Sequence, residues 1–128
     1  MASINNSIII IIDDNIINNY ICEKIINKYS PLIKVEAYSV SEDGIKAIDN
    51  YKSKISLLFL DLSMPVYDGW DILEKIDHAN TKIPTIILTS SLNSEDFNRS
   101  KKYSFVKDFL MKPATYDKIE SILNKIYA

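Results

Sequence analysis

Five short runs along the chain are dominated by aliphatic and β-branched residues: "SIIIII" (7–12), "IKVEAYS" (33–39), "ISLLFL" (55–60), "PTIILTS" (84–90) and "VKDFLM" (106–111). The first, third and fourth are continuous, the pattern of strands covered on both faces. The second and fifth alternate more, which places them nearer the edges of a sheet. Between these runs the apolar period lengthens to that of a helix. Ile16, Ile17, Tyr20, Ile21 and Ile25 form one apolar face of a helix that starts after Asp14–Asn15. Ile45, Ile48 and Tyr51 repeat the spacing after "SEDG", and Ile72, Leu73 and Ile76 do so after Gly69–Trp70. "NSEDFNRSKKY" is weakly apolar, with Asn93 or Ser94 as its N-cap and acids in the first turn. Tyr116, Ile119, Ile122, Leu123 and Ile126 give the clearest stripe.

Strands alternating with helices predict an α/β sandwich with a parallel sheet and right-handed crossovers. A chain of 128 residues suits one such domain. Hydrophobic residues at 47% and charged ones at 25% supply both a core and a soluble surface. The net charge of −2, with no basic tract, points away from nucleic acid and from membrane surfaces. The apolar run Ile8 to Ile12 is too short to cross a bilayer, and "MASINNS" lacks the basic residue of a secretory signal. Cys22 is alone, which fits a reducing cytoplasm, and its isoleucine neighbours mark it as a buried structural thiol.

In a sheet of this kind, ligands collect at the carboxyl ends of the strands. Asp13 and Asp14 follow the first strand, Asp61 ends the third, Thr89 and Ser90 finish the fourth, and Lys112–Pro113 follow the fifth. Each alone has an ordinary explanation: a helix cap for Asp14 or Asn15, a turn for Asp61, a β-former for Thr89, a solvated charge for Lys112. Together they put three carboxylates, a hydroxyl and an ammonium on one rim. Carboxylates about 4 Å apart repel by roughly 4 kcal/mol per pair at an effective dielectric near 20. A divalent cation with a preference for oxygen removes that repulsion, and Mg²⁺ uses one or two carboxylates while leaving positions open to phosphate oxygens.

The motifs "IIDDN", "LFLDLSMPVYDGWDIL", "IPTIILTSS" and "FLMKP", in this order, resemble those of response-regulator receiver domains of two-component signalling, over essentially the whole chain. The resemblance implies a single receiver domain over residues 1–128. It also implies a five-stranded parallel sheet of order 2-1-3-4-5 with helices on both faces, the flavodoxin-like three-layer sandwich. It makes Asp61 the phosphoacceptor, with Mg²⁺ held by Asp13, Asp14, Asp61 and the backbone carbonyl of Ser63. Lys112 pairs with Asp61 and then with the phosphoryl oxygens. Thr89 hydrogen-bonds the incoming group, and Lys112–Pro113 is a candidate cis peptide. The implied donor is a sensor histidine kinase or a histidine phosphotransfer protein, with an unidentified output partner.

The switch implied by the resemblance pairs Thr89 with Phe109, which repacks the surface of the fourth helix, fifth strand and fifth helix. An ordinary edge-strand core role for Phe109 is the alternative. If the chain stands alone, it acts by binding or by passing the phosphoryl group on. His78 is expected to be a solvated residue at a helix C-terminus, Trp70 a partly buried helix anchor, and Tyr103 and Phe105 core residues. Gly69 is expected to supply a positive-φ turn. Two rival functions fit less well. An Asp-nucleophile phosphatase of the haloacid dehalogenase type needs a second Asp where Ser63 stands, and a flavin or nucleotide module needs a Gly/Ser/Thr-rich loop where "DDNIINN" stands.

Overall fold

The structure, a computed structural model, describes residues 3–91 and 93–127. Met1 and Ala2, which begin the stretch read for a secretory signal, lie outside the described residues. Strands β1 (Ile8–Ile12), β2 (Lys34–Tyr38), β3 (Ile55–Asp61), β4 (Thr85–Thr89) and β5 (Val106–Met111) alternate with helices α1 (Ile16–Tyr29), α2 (Ser41–Tyr51), α3 (Gly69–His78), α4 (Ser94–Ser100) and α5 (Tyr116–Tyr127). The five strands form one parallel sheet in the order β2-β1-β3-β4-β5. The two alternating strands are the two edges, as expected. All residues of β1, β3 and β4 are buried. Among the described residues no helix is long and apolar enough to cross a membrane.

The isoleucine run of β1 divides by parity, because successive strand side chains point to opposite faces. Ile8, Ile10 and Ile12 join Leu58, Leu60, Ile48, Ile72 and Ile76 under α2 and α3. Ile9 and Ile11 join Leu57, Phe59, Cys22, Ile26, Ile119 and Leu123 under α1 and α5. One strand therefore supplies both cores, and its end is held from both sides. Tyr103 and Phe105 are buried in the first core, and the Tyr103 hydroxyl donates to Glu74 at 2.7 Å. Trp70 is half-buried with the Arg99 guanidinium 4.3 Å from its ring centre, which ties α3 to α4. His78 is exposed at the end of α3.

Two expectations are corrected. The apolar stripe of α1 is not its buried face: Ile16 and Ile17 are each 70% exposed and Tyr20 is 61% exposed. The residues turned inward are Asn19, Cys22 and Ile26. Asn15 caps the helix by accepting from the N–H groups of Ile17 and Asn18, and the Asn19 side-chain amide bonds to the end of β1. Those two contacts set the rotation at the start of the helix and leave Ile16 and Ile17 outside, while Ile25 and Ile26 farther along pack against the core. Gly69, for its part, has no positive φ. It is the first residue of α3, and a Cβ there would stand 2.5 Å from the Asp61 carbonyl oxygen and 2.8 Å from Leu62 Cα. The glycine is required by closeness, not by backbone handedness. The positive φ of this loop falls at Val66, at 66°.

Candidate functional site

The carboxyl end of the sheet is built by ladder register. β1 and β3 pair Ile12 with Leu60, so Asp13 follows the one as Asp61 follows the other. Asp61 pairs with Leu88, which precedes Thr89, and Thr89 pairs with Met111, which precedes Lys112. The Lys112 N–H donates to the Thr89 carbonyl at 2.8 Å, extending the ladder to the lysine. Lys112–Pro113 is a cis peptide. The strand ends thus deliver their polar residues side by side although these lie far apart in the chain.

Asp13 is fully buried and Asp61 nearly so, while Asp14 is exposed. One carboxylate oxygen from each of the three lies within 4.8 Å of the others. The Lys112 ammonium stands 2.9 Å from Asp13 Oδ2 and 3.3 Å from Asp61 Oδ1. Burial pushes the Asp61 carboxyl up to about 7, and the Asp13 charge adds to this; Lys112 and the Ser63 N–H pull the other way without prevailing. For Lys112, burial works against the charge, but the contacts with Asp13 and Asp61 outweigh it and the ammonium is held above its ordinary value. Ser63 meets the site through its backbone N–H, which donates to Asp61 Oδ1 at 3.3 Å.

The donor set tests well for a hard cation. It is all oxygen, and it gathers three carboxylates around a single lysine, whose ammonium reaches two of them. Asp13, Asp14 and Asp61 are therefore fit to hold Mg²⁺. The arrangement lacks any glycine-rich phosphate cradle, so phosphate would enter by way of cation and ammonium.

Thr89 ends β4 and is buried, but its hydroxyl is engaged in its own turn. It donates to the Ser91 carbonyl at 2.8 Å and accepts from the Ser91 N–H at 3.3 Å. Phe109 is half-buried on β5, with its ring tilted against Phe97 of α4 at 5.7 Å between centres. Burial holds Cys22 up at about 12, which leaves it an inert thiol. Sequence reasoning missed Asn19 because an asparagine inside a helix reads as a polar, outward residue. It also missed that Ile16 and Ile17 flank the rim as open apolar surface.

Comparisons with known proteins agree on one family. The profile of the response regulator receiver domain matches residues 9–124. Chemotaxis protein CheY of Bacillus subtilis is 27% identical over 118 residues, which cover 91% of this chain and 94% of that protein. Transcription factor SKN7 of Saccharomyces cerevisiae is 26% identical over 116 residues, 90% of this chain but only 18% of the relative. Transcriptional regulatory protein RprY of Bacteroides fragilis is 33% identical over 95 residues, 71% of this chain and 39% of the relative. The chain thus spans well under half of these two transcriptional relatives. The receiver domain protein from Clostridium thermocellum superposes with a TM-score of 0.81 at 23% identity, covering 94% of this chain and 93% of that one. The signal receiver domain from Colwellia psychrerythraea superposes at 0.83 with 21% identity, covering 93% and 96%. These two likenesses establish the fold.

Proposed function

Since the chain belongs to the response regulator receiver domain family, we propose that it takes a phosphoryl group from a phosphohistidine onto Asp61 and responds by changing the surface of α4, β5 and α5. The observation that carries this reading is the shared contact of Lys112 with Asp13 and Asp61, which joins three strand ends into one charged hollow.

An oxygen of ionised Asp61 gives its electron pair to phosphorus, the P–N bond breaks, and its electrons return to the ring nitrogen of the donor histidine. Burial raises the basicity of Asp61 in the metal-free protein, and removing water from its carboxylate favours attack by a group that is weak in water. Little covalent chemistry is asked of the protein beyond that. Its main contribution is charge already in place where the phosphoryl oxygens become negative. The Lys112 ammonium is one such charge, and it needs no long movement to turn from the carboxylates to the new oxygens. The backbone N–H of Ser63 is a second donor close to Asp61. Thr89 is the third, once its hydroxyl lets go of the Ser91 carbonyl. Asp13, Asp14, Asp61 and the Ser63 carbonyl are the residues that would hold Mg²⁺, which when bound neutralises carboxylate and phosphoryl charge together.

Release of the Ser91 carbonyl by Thr89 is the step that links chemistry to output. The neighbouring strand carries Phe109, whose ring leans on the half-exposed Phe97 of α4. A change at Thr89 is passed to a surface aromatic pair, with no tyrosine hydroxyl taking part. On the donor side, Ile16 and Ile17 offer apolar surface beside the rim for a histidine kinase or histidine phosphotransfer protein to cover. A cytoplasmic setting suits such a donor and the single thiol of Cys22. No direct contact with nucleic acid is called for by a chain whose net charge is −2.

The test is incubation with Mg²⁺ and a small-molecule phosphodonor, followed by intact mass. The expected result is a gain of one phosphoryl group in the wild type and none in Asp61→Asn. An equal gain in the mutant would remove Asp61 from the acceptor role.

A further inference from the structure

Asn19 is 6% exposed on the inward face of α1, where it sits in line with Cys22 and Ile26. Burying an amide costs free energy unless both of its ends find partners. Here only one does. Nδ2 donates to the Asp13 backbone carbonyl at 2.8 Å, and Oδ1 has no hydrogen-bond partner. A residue retained only to fill the core between α1 and the sheet would be better served by an aliphatic side chain.

The atom that Asn19 holds is the carbonyl of the peptide joining Asp13 to Asp14. With that bond counted, Asp13 is fixed at four atoms. Its N–H donates to the Tyr38 carbonyl at 3.1 Å, its carbonyl accepts from Asn19, its Oδ1 accepts from the Asn15 N–H at 2.9 Å, and its Oδ2 faces Lys112 at 2.9 Å. Asp14 hangs from the same peptide with its own carboxylate exposed. Rotation of that peptide plane would redirect Asp14 and shift the oxygens of both acids. The Asn19 amide is the side-chain bond that resists it.

We propose that Asn19 is a positioning residue: it locks the Asp13–Asp14 peptide so that both carboxylates present oxygens to one divalent cation. This rests on the reading of the rim as a Mg²⁺-dependent phosphoryl acceptor. A partner that orients metal-binding groups from behind is worth about 10–100-fold in affinity. Asn19 acts through the backbone and touches neither cation nor phosphoryl group.

The experiment is calorimetric titration of the purified chain with Mg²⁺ alone, beside thermal melting in chelator. Asn19→Leu removes the donor at similar volume, and Asn19→Ala serves if the leucine form does not fold. Ile26→Val, on the same buried face but farther from the rim, controls for a loosened helix. The expected result is Mg²⁺ binding weakened at least tenfold in the Asn19 variant and within twofold of wild type in Ile26→Val, each fully folded by circular dichroism. Wild-type Mg²⁺ affinity in a folded Asn19 variant overturns the proposal, whatever its melting temperature. Absence of Mg²⁺ binding in the wild type overturns the reading of the rim itself, a distinct failure.

Discussion

The ammonium of Lys112 stands closer to Asp13, at 2.9 Å, than to Asp61, at 3.3 Å. The lysine is shared between a buried carboxylate and the carboxylate proposed to react. Its first task in the resting protein is to make the burial of Asp13 tolerable. Removing one partner of a buried pair leaves a charge without compensation, at a cost of about 3–5 kcal/mol. Lys112→Met is accordingly expected to lose stability on that scale in urea unfolding without metal, and to regain a large part of it in Mg²⁺. Equal stability in chelator would show that Asp13 does not depend on the lysine.

The raised Asp61 carboxyl gives the metal-free protein a definite response to pH. The folded state binds a proton more tightly than the unfolded chain, so between the ordinary carboxylate value and about 7 the folded state holds more protons. Stability then falls as pH rises through that window and levels off above it. Lys112 works at alkaline pH: its contribution is complete below the ordinary lysine value and disappears as pH rises through its elevated one. Melting in chelator from pH 5 to 8 should show a decline in wild type that Asp61→Asn lacks. Parallel curves for the two proteins would contradict the shift.

Gly69 sets how closely α3 approaches the end of β3. A Cβ at 2.5 Å from the Asp61 carbonyl oxygen meets backbone, which has little room to give. Gly69→Ala is expected to destabilise by about 1–3 kcal/mol and to slow phosphorylation of Asp61 by the small donor. Unfolding in urea and the rate of mass gain measure the two effects.

Ile16→Ser combined with Ile17→Ser separates docking from chemistry. Both side chains are 70% exposed, so the change should alter stability by no more than about 0.5 kcal/mol. Labelling by a small phosphodonor should be unchanged, whereas transfer from a phosphorylated histidine protein should slow. Equal slowing with both donors would place these isoleucines in the chemistry instead of the encounter.

The parts of this molecule written in long-range periodicity were readable before folding. Uninterrupted β-branched runs marked the central strands, alternating runs marked the edges, and polar residues after each strand marked the rim. Positions decided by a single contact were not readable. The rotation of α1 depends on the Asn15 cap and the Asn19 amide, and no count of apolar residues contains either. The role of Gly69 comes from the nearness of another segment, which a local turn rule mistakes for a demand on φ. The bond from the Thr89 hydroxyl to the Ser91 carbonyl is another such single contact, which no periodicity announces.

The division of β1 between two cores has a consequence for how this protein tolerates change. Exchanging one isoleucine for valine or leucine alters volume in a single layer and leaves the other untouched. Inserting or deleting one residue would trade the layers, sending every side chain of the strand to the wrong neighbours and swinging the acid pair away from its lysine. The strand is forgiving of spelling and intolerant of length, and the distance from Ile8 to Asp13 acts as the ruler against which the reactive hollow is measured.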